Sequence, residues 1–194
     1  MIAGILLAAG ESTRMGELKA MLPWRGTTLV QSQAARMLEA GLDPLIVVLG
    51  HRADELRQLL PPKAHVVLNA RYAEGKSTSI VAGASLLPPD AEAALIVAVD
   101  QPTEAAILRS LMQAHEQAAI VLPSIRNRRG HPTLFSATVF PELKSITEER
   151  DGLREVMIRH EHDIAYVAVD TELVRANLNS PTEYEAAYAR WGKG

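Results

Sequence analysis

A short loop near the start of the chain combines two glycines with two cations. Gly10 and Gly16 bound the loop, Arg14 lies inside it and Lys19 follows it. Glycine lets the backbone come close to a phosphate, and successive backbone N–H groups in such a loop can bind an anion. Arginine grips phosphate oxygens through its planar fork, whereas lysine acts as a mobile point charge. These residue types at this spacing predict a loop that holds a nucleoside triphosphate.

The segment before the loop supports this interpretation over that of a surface loop with two solvated cations. Residues 2–6 form an apolar run that is typical of a buried strand. In open α/β sheets, ligands bind to the loops that leave the carboxyl ends of strands. The run and the loop together therefore predict a strand that delivers the cations to a ligand site.

A second candidate site follows another apolar run. Asp100 comes directly after residues 94–99, which predict a buried strand. If both strands are parallel, Asp100 lies at the same sheet edge as the glycine loop and can hold a divalent ion against phosphate oxygens. The alternative is an aspartate that caps the next helix, with Pro102 near its first turn.

Residues 70–77 form a competing motif, since Ala70 to Ser77 nearly satisfies the P-loop pattern G-x-x-x-x-G-K-[ST]. Under this hypothesis the protein is a P-loop kinase or NTPase with Asp100 as the second carboxylate. Arg71, Tyr72 and Ala73 are poor residues for a tight cradle of backbone N–H groups, and the glycine loop is left without a role. In the preferred interpretation Ser77 and Ser79 border the nucleotide pocket at a helix start.

A cluster of cations lies further along the chain. Arg126, Arg128 and Arg129 precede Gly130 and His131. Such a cluster can receive an anionic second substrate, although loop cations are often only solvated. We expect Arg129 and His131 to bind the acceptor. The histidines form no H-E-x-x-H zinc pattern and the chain has no G-x-S-x-G nucleophile elbow.

Six segments resemble, in chain order, the signatures of the MobA-like nucleotidyltransferases, and within them the molybdenum cofactor cytidylyltransferases. Residues 7–23 are similar to LAAGxSxRMGxxKxLLP, and residues 99–102 contain the family's DQP. The other similar segments are residues 69–79, 129–135, 151–154 and 177–184. The likeness runs nearly from end to end of the chain.

This resemblance implies a set of site residues. Arg14, Lys19 and Asp100 are the expected catalytic residues, and Asp100 and Asn179 the expected metal ligands. Asn179 departs from the DIDTP form of many cytidylyltransferases toward the NINTP form of guanylyl-transferring relatives, and its amide offers an oxygen without a charge. The expected nucleotide-binding residues are Leu7, Ala8, Ala9, Gly10, Arg14, Lys19, Ser77, Ser79 and Asp100.

The resemblance also implies an activity. We expect transfer of CMP from CTP to molybdenum-molybdopterin with release of pyrophosphate, with Mg²⁺ as cofactor and a molybdoenzyme as possible recipient. The resemblance favours cytidylyl transfer, because family members with Leu-Ala-Ala-Gly tend to take CTP whereas guanylyl-transferring relatives carry Leu-Ala-Gly-Gly, and because the DQP motif is similar to the cytidylyl form. The physical reason would be that the methyl group of Ala9 narrows the space that a purine needs. A guanylyl or sugar-phosphate nucleotidyltransferase of the same fold stays open, as do a P-loop NTPase or kinase and a non-catalytic nucleotide-binding domain.

Composition agrees with one α/β domain over residues 1–194. The net charge of −3 gives no sign of a nucleic-acid-binding surface, and the absence of cysteine excludes a disulfide framework. No apolar run approaches the ~20 residues that span a bilayer, and we expect a cytoplasmic protein with no membrane or nucleic-acid partner. The resemblance implies a three-layer Rossmann-like nucleotide-diphospho-sugar transferase fold with a mostly parallel mixed sheet.

The alternation of short apolar runs with longer amphipathic ones predicts the remaining elements. Further strands are expected at residues 44–49, 65–68, 119–122, 133–135 and 164–169. Helices are expected from Thr27 or Thr28 to residue 40, over residues 52–60, 77–87, 103–117 and 152–159, and after Pro181.

Overall fold

The computed structural model describes residues 1–13 and 15–193. Its strands are β1 (Ile2–Ala8), β2 (Pro23–Trp24), β3 (Thr27–Thr28), β4 (Leu45–Leu49), β5 (Ala64–Leu68), β6 (Ala93–Ala98), β7 (Ile120–Ile125), β8 (Arg128–Arg129), β9 (Thr133–Ser136) and β10 (Ile164–Ala168). Its α-helices are α1 (Leu29–Ala40), α2 (Ala53–Arg57), α3 (Lys76–Ala84), α4 (Ala105–Gln113), α5 (Phe140–Leu143), α6 (Leu153–Arg159) and α7 (Pro181–Ala187).

The main sheet has the strand order β10-β7-β9-β6-β1-β4-β5, with β8 paired to β7. Strands β6, β1, β4 and β5 are mutually parallel, and β10 is parallel to β7. Strand β9 runs antiparallel to both β6 and β7. The mostly parallel mixed sheet predicted from the sequence is therefore confirmed.

Apolar side chains on both faces of the sheet produce three layers. Along β1, Leu6 and Ala8 join a core with α1 and α4, while Ile5 and Leu7 join a second core with α3, α5 and α6. Strands buried on both faces read as continuous apolar runs, which is why their positions could be predicted from the sequence.

Local signals set several helix ends. Helix α1 begins with a capping box between Thr28 and Gln31 and ends at Gly41, whose φ of 94° is a conformation that favours glycine. Helix α4 begins two residues later than expected, because the backbone of Glu104 is extended, with φ −118° and ψ 147°. The N–H of Thr103, just before it, donates to Gln33 Oε1 at 3.1 Å. Helices α2, α3 and α4 all end earlier than predicted, at Arg57, Ala84 and Gln113.

Candidate active site

The glycine loop and Asp100 lie at the same edge of the sheet. Strands β1 and β6 are adjacent and parallel, with Leu7 paired to Ala98, so the segments that follow them leave the sheet side by side. The relative position that the sequence predicted for these two segments is confirmed. Arg14, the other cation assigned to this loop, lies outside the described residues.

Lys19 joins three parts of the chain. Its Nζ donates to Asp100 Oδ2 at 2.9 Å and to Asn179 Oδ1 at 2.8 Å, and its backbone N–H donates to Ser12 Oγ at 3.0 Å. The residue is only 9 % exposed. Asp100 and Asn179, which lie far apart in sequence, therefore meet at the ammonium group of Lys19.

A second set of hydrogen bonds fixes the two oxygen donors. The N–H of Leu178 donates to the Asp100 carbonyl at 2.8 Å, and Gln101 Nε2 donates to Asn177 Oδ1 at 2.8 Å. These bonds tie the turn after β6 to the segment before α7 on either side of the Asp100–Asn179 pair. The carboxylate and the amide are thus held together by their neighbours as well as by Lys19.

The two oxygens suit a divalent metal. Both accept from the same ammonium, so they converge on one position at which a cation already sits. Mg²⁺ binds hard oxygen ligands and usually combines one or two carboxylates with substrate phosphates and water. Asp100 and Asn179 can therefore supply the protein's share of such a coordination shell. Across residues 1–13 and 15–193, no group of three or more His, Cys, Asp or Glu side chains is placed to hold a metal.

A cavity of about 290 Å³ opens beside this cluster. Ser79 lies in its wall, buried and held by Asn69, whose Nδ2 donates to Ser79 Oγ at 2.9 Å. The cavity also brings together most of the residues assigned to the nucleotide, namely Leu7, Ala8, Ala9, Gly10, Lys19 and Asp100.

Ser77 is placed differently from the other residues assigned to the nucleotide. It does not line this cavity; its backbone N–H donates to Glu148 Oε1 at 2.6 Å. The first turn of α3 therefore already has a carboxylate as its anion, at the position where helix N–H groups would receive a phosphate.

The same contact weighs against the P-loop hypothesis. Residues 72–74 form a turn of 3₁₀-helix rather than an open cradle. The guanidinium of Arg71, just before this turn, forms an ion pair with Glu74, its last residue. A phosphate cradle needs successive free N–H groups pointing at one spot. Glu148 already accepts from Ser77 at that spot.

A larger cavity, of about 660 Å³, lies on the other side of the Asp100–Gln101 turn. Gln101 and Arg129 line it, whereas the side chain of Arg126 points to Glu172 at 3.4 Å. The cavity is also lined by three residues to which the sequence assigned no role, namely Arg154, Arg175 and the exposed Tyr166. Arg154 lies in residues 151–154, one of the segments that resemble the family, so this resemblance could have indicated a role for it. No motif or spacing in the sequence marks Arg175 or Tyr166.

His131 lies between the larger cavity and the backbone near Asn179. Its Nε2 donates to the Ala176 carbonyl at 2.7 Å, and its N–H donates to the Val174 carbonyl at 2.8 Å. Burial lowers the pKa of His131 to about 4, so the imidazole is neutral at neutral pH. His131 therefore fixes the segment that leads to Asn177 and Asn179.

Comparison with known proteins decides between the folds that share a mostly parallel sheet flanked by helices. Residues 4–164 match the model of the MobA-like NTP transferase domain. The chain belongs to this family. Among solved structures, that of Rv0371c from Mycobacterium tuberculosis H37Rv is similar to this chain, with a TM-score of 0.85 and 28% identity over 97% of both chains. A manganese complex of Rv0371c superposes with a TM-score of 0.79 at 27% identity, covering 95% of this chain and 96% of that one. The Rossmann-like nucleotide-diphospho-sugar transferase fold is confirmed.

Two curated relatives carry different names. Nicotine blue oxidoreductase of Paenarthrobacter nicotinovorans is 32% identical over 169 residues, which are 79% of each chain. The molybdenum cofactor cytidylyltransferase of Escherichia coli K12 is 27% identical over 192 residues, covering 96% of this chain and 95% of that one. Membership of the MobA-like family therefore leaves the substrates open. Within the part of the chain that the structure describes, no helix has the length and apolar character to cross a membrane.

Proposed function

We propose that this chain transfers CMP from CTP to molybdenum-molybdopterin and releases pyrophosphate. One observation carries the proposal: Lys19, Asp100 and Asn179 converge beside the smaller cavity, which Lys19 and Asp100 line, and the Asp100–Gln101 turn separates that cavity from a larger one with three arginines. A two-substrate transfer needs such a pair of cavities that meet at charged groups.

The smaller cavity would hold the nucleotide. Its wall contains Ala9, which is 4% exposed, and the methyl group there reduces the room for a base. This favours the pyrimidine of CTP over a purine. Lys19 would bind the triphosphate oxygens and neutralise charge that develops during transfer, together with Arg14, which the sequence assigns to the same loop.

The larger cavity would hold the acceptor. Arg129, Arg154 and Arg175 line it and make no ion pair within the described residues. Arginine binds phosphate through two parallel hydrogen bonds. His131 belongs to the wall of the same cavity and orders the backbone behind it.

The chemistry asks little of the protein beyond placement. A phosphate monoester has its second pKa near ~6, so it is largely dianionic at neutral pH and needs no general base to attack the α-phosphorus. Asp100 and Asn179 would hold Mg²⁺, which would supply a positive charge for the leaving pyrophosphate. A molybdoenzyme would receive the product in the cytoplasm.

The relative named nicotine blue oxidoreductase supplies a second candidate, a redox reaction on the same scaffold. Guanylyl transfer is a third, since Asn177 to Pro181 is similar to the guanylyl form of the late motif. Each candidate requires a different ligand, so binding separates them.

The test has two stages. Thermal unfolding is first recorded with CTP, GTP, UTP, ATP and NADPH, each with and without Mg²⁺, because a ligand that binds only the folded state raises its stability. Pyrophosphate release from the preferred nucleotide is then measured with molybdenum-molybdopterin. Stabilisation by CTP and acceptor-dependent release are expected. Preference for GTP would replace cytidylyl by guanylyl transfer. Transfer of hydride from NADPH to an added two-electron acceptor, without pyrophosphate release, would favour the redox candidate.

A further inference from the structure

The ammonium of Lys19 occupies the position between the two oxygens that suit a metal. Its Nζ uses two of its three protons on Asp100 Oδ2 and Asn179 Oδ1. A metal ligated by the same two oxygens would need the lone pairs that now accept from the ammonium, and it would bring a second positive charge close to the first. Two cations at such close range repel strongly. The ammonium and a metal therefore exclude one another.

The oxygens cannot readily separate to admit both cations. The Leu178 N–H bond to the Asp100 carbonyl and the Gln101–Asn177 side-chain bond fasten the two segments beside the pair. His131 fastens the second segment again through the Ala176 carbonyl. The group that can be displaced is the Lys19 ammonium, because it is carried on a four-carbon stem with rotatable bonds.

The cavity beside Lys19 offers the ammonium another partner. Lys19 lines the same cavity as Gly10 and Ser12, in the loop assigned to the triphosphate. Its backbone stays anchored through Ser12 Oγ while the side chain turns. Phosphate oxygens in that cavity would accept the hydrogen bonds that Asp100 and Asn179 accept now, and would leave both oxygens to the metal.

We propose that Lys19 holds the metal position closed in the nucleotide-free protein, so that a divalent metal binds tightly only with or after the triphosphate. This inference rests on the metal and nucleotide sites of the proposed function. It adds an order to them: the substrate's own phosphates open the metal position, and free metal ions are kept out of the empty site.

The test measures binding of Mn²⁺ without any nucleotide, by electron paramagnetic resonance and calorimetry. Lys19→Met removes the ammonium and is expected to bind Mn²⁺ roughly tenfold to a hundredfold more tightly than the wild type. In the wild type the metal must first break a charge-assisted hydrogen bond of the ammonium, and the free energy of such a bond corresponds to this range. Lys19→Gln removes the charge with a polar side chain and should show the same direction. Lys63→Met, which removes an exposed lysine, should bind Mn²⁺ as the wild type does.

Two further measurements locate the effect. Adding Asp100→Asn to Lys19→Met should abolish the gain in Mn²⁺ affinity, because the carboxylate is the gained ligand. In the wild type, saturating α,β-methylene CTP should strengthen Mn²⁺ binding by about tenfold or more.

The proposal is overturned if folded Lys19→Met and Lys19→Gln bind Mn²⁺ no more tightly than the wild type. It is also overturned if the wild type binds Mn²⁺ equally well with and without the α,β-methylene analogue of the nucleotide that stabilises it in the thermal test. Circular dichroism and thermal unfolding establish that the variants are folded. The comparison without nucleotide is independent of turnover. Absence of pyrophosphate release by the wild type would instead overturn the proposed function.

Discussion

Gln101 donates a hydrogen bond of 2.8 Å from Nε2 to Asn177 Oδ1 across 76 positions of sequence. Gln101 follows Asp100 directly, and Asn177 precedes Asn179 by two residues. The bond therefore bridges the two segments that carry the proposed metal ligands. It is also placed in the wall of the larger cavity, so one contact touches both halves of the site.

Gln101→Ala should raise the Mg²⁺ concentration that gives half-maximal activity by up to about tenfold, because one hydrogen bond that fixes the ligands is lost. Turnover at saturating Mg²⁺ should change less. Asn177→Ala should have the same effect, and the double variant should be no worse than either single one, since both remove the same bond. Additive effects in this cycle would contradict a shared positioning role.

Lys19→Ala and Asp100→Ala should each lower turnover by on the order of a hundredfold or more, the usual cost of removing one preorganised charge from a transfer site. Pyrophosphate release measures this loss, and circular dichroism checks that the fold persists. Lys63→Ala is the control for removing a lysine. Near-full activity in either variant would refute the role given to that residue.

Ala9→Gly should reduce the preference for CTP over GTP by roughly tenfold, because it removes the methyl group that narrows the base site. The quantity to compare is kcat/KM for the two nucleotides. Ala73→Gly makes the same chemical change on another wall of the same cavity and should leave the preference in place. An equal shift in both variants would show that Ala9 does not select the base.

Much of this arrangement could be predicted because it is local. Buried strands are apolar runs, and Gly41 and the Thr28–Gln31 box mark the ends of α1 without reference to distant residues. The placement of the glycine loop and Asp100 at one sheet edge followed from one assumption, that β1 and β6 are parallel; their adjacency is a finding of the structure.

The pairings across the site could not be predicted in the same way. The capture of the Ser77 N–H by Glu148 depends on how residues 147–152 fold over α3, and no spacing in the sequence encodes that contact. Likewise Arg175 and Tyr166 reach the larger cavity only through the packing of β10 and the segment after it. Side chains brought together by tertiary packing leave no periodic signal.

Gly83→Ala should destabilise the protein by about 1–3 kcal/mol, although alanine is the better helix former. An added Cβ at residue 83 would lie 2.6 Å from Ile5 Cγ2 and 3.0 Å from Val48 Cγ2, in the contact between α3 and the sheet. Urea unfolding measures the change. Combining it with Ile5→Ala should give a favourable coupling free energy, because the obstructing methyl group is gone; simple additivity would place the strain elsewhere.

The buried imidazole of His131 should make folding stability depend on pH. Its pKa is about 4 in the folded protein against an ordinary value of 6.5, so between these values the unfolded chain binds the extra proton. The free energy of unfolding should therefore fall as the pH drops from 6.5 toward 4, by about 3 kcal/mol in total from this residue.

His131→Gln can still donate to the Ala176 carbonyl but cannot titrate, so urea unfolding across this range should show a shallower fall than in the wild type. His162→Gln, at a side chain 95% exposed, is the control. Equal slopes for the wild type and His131→Gln would mean that burial of this ring does not control its protonation.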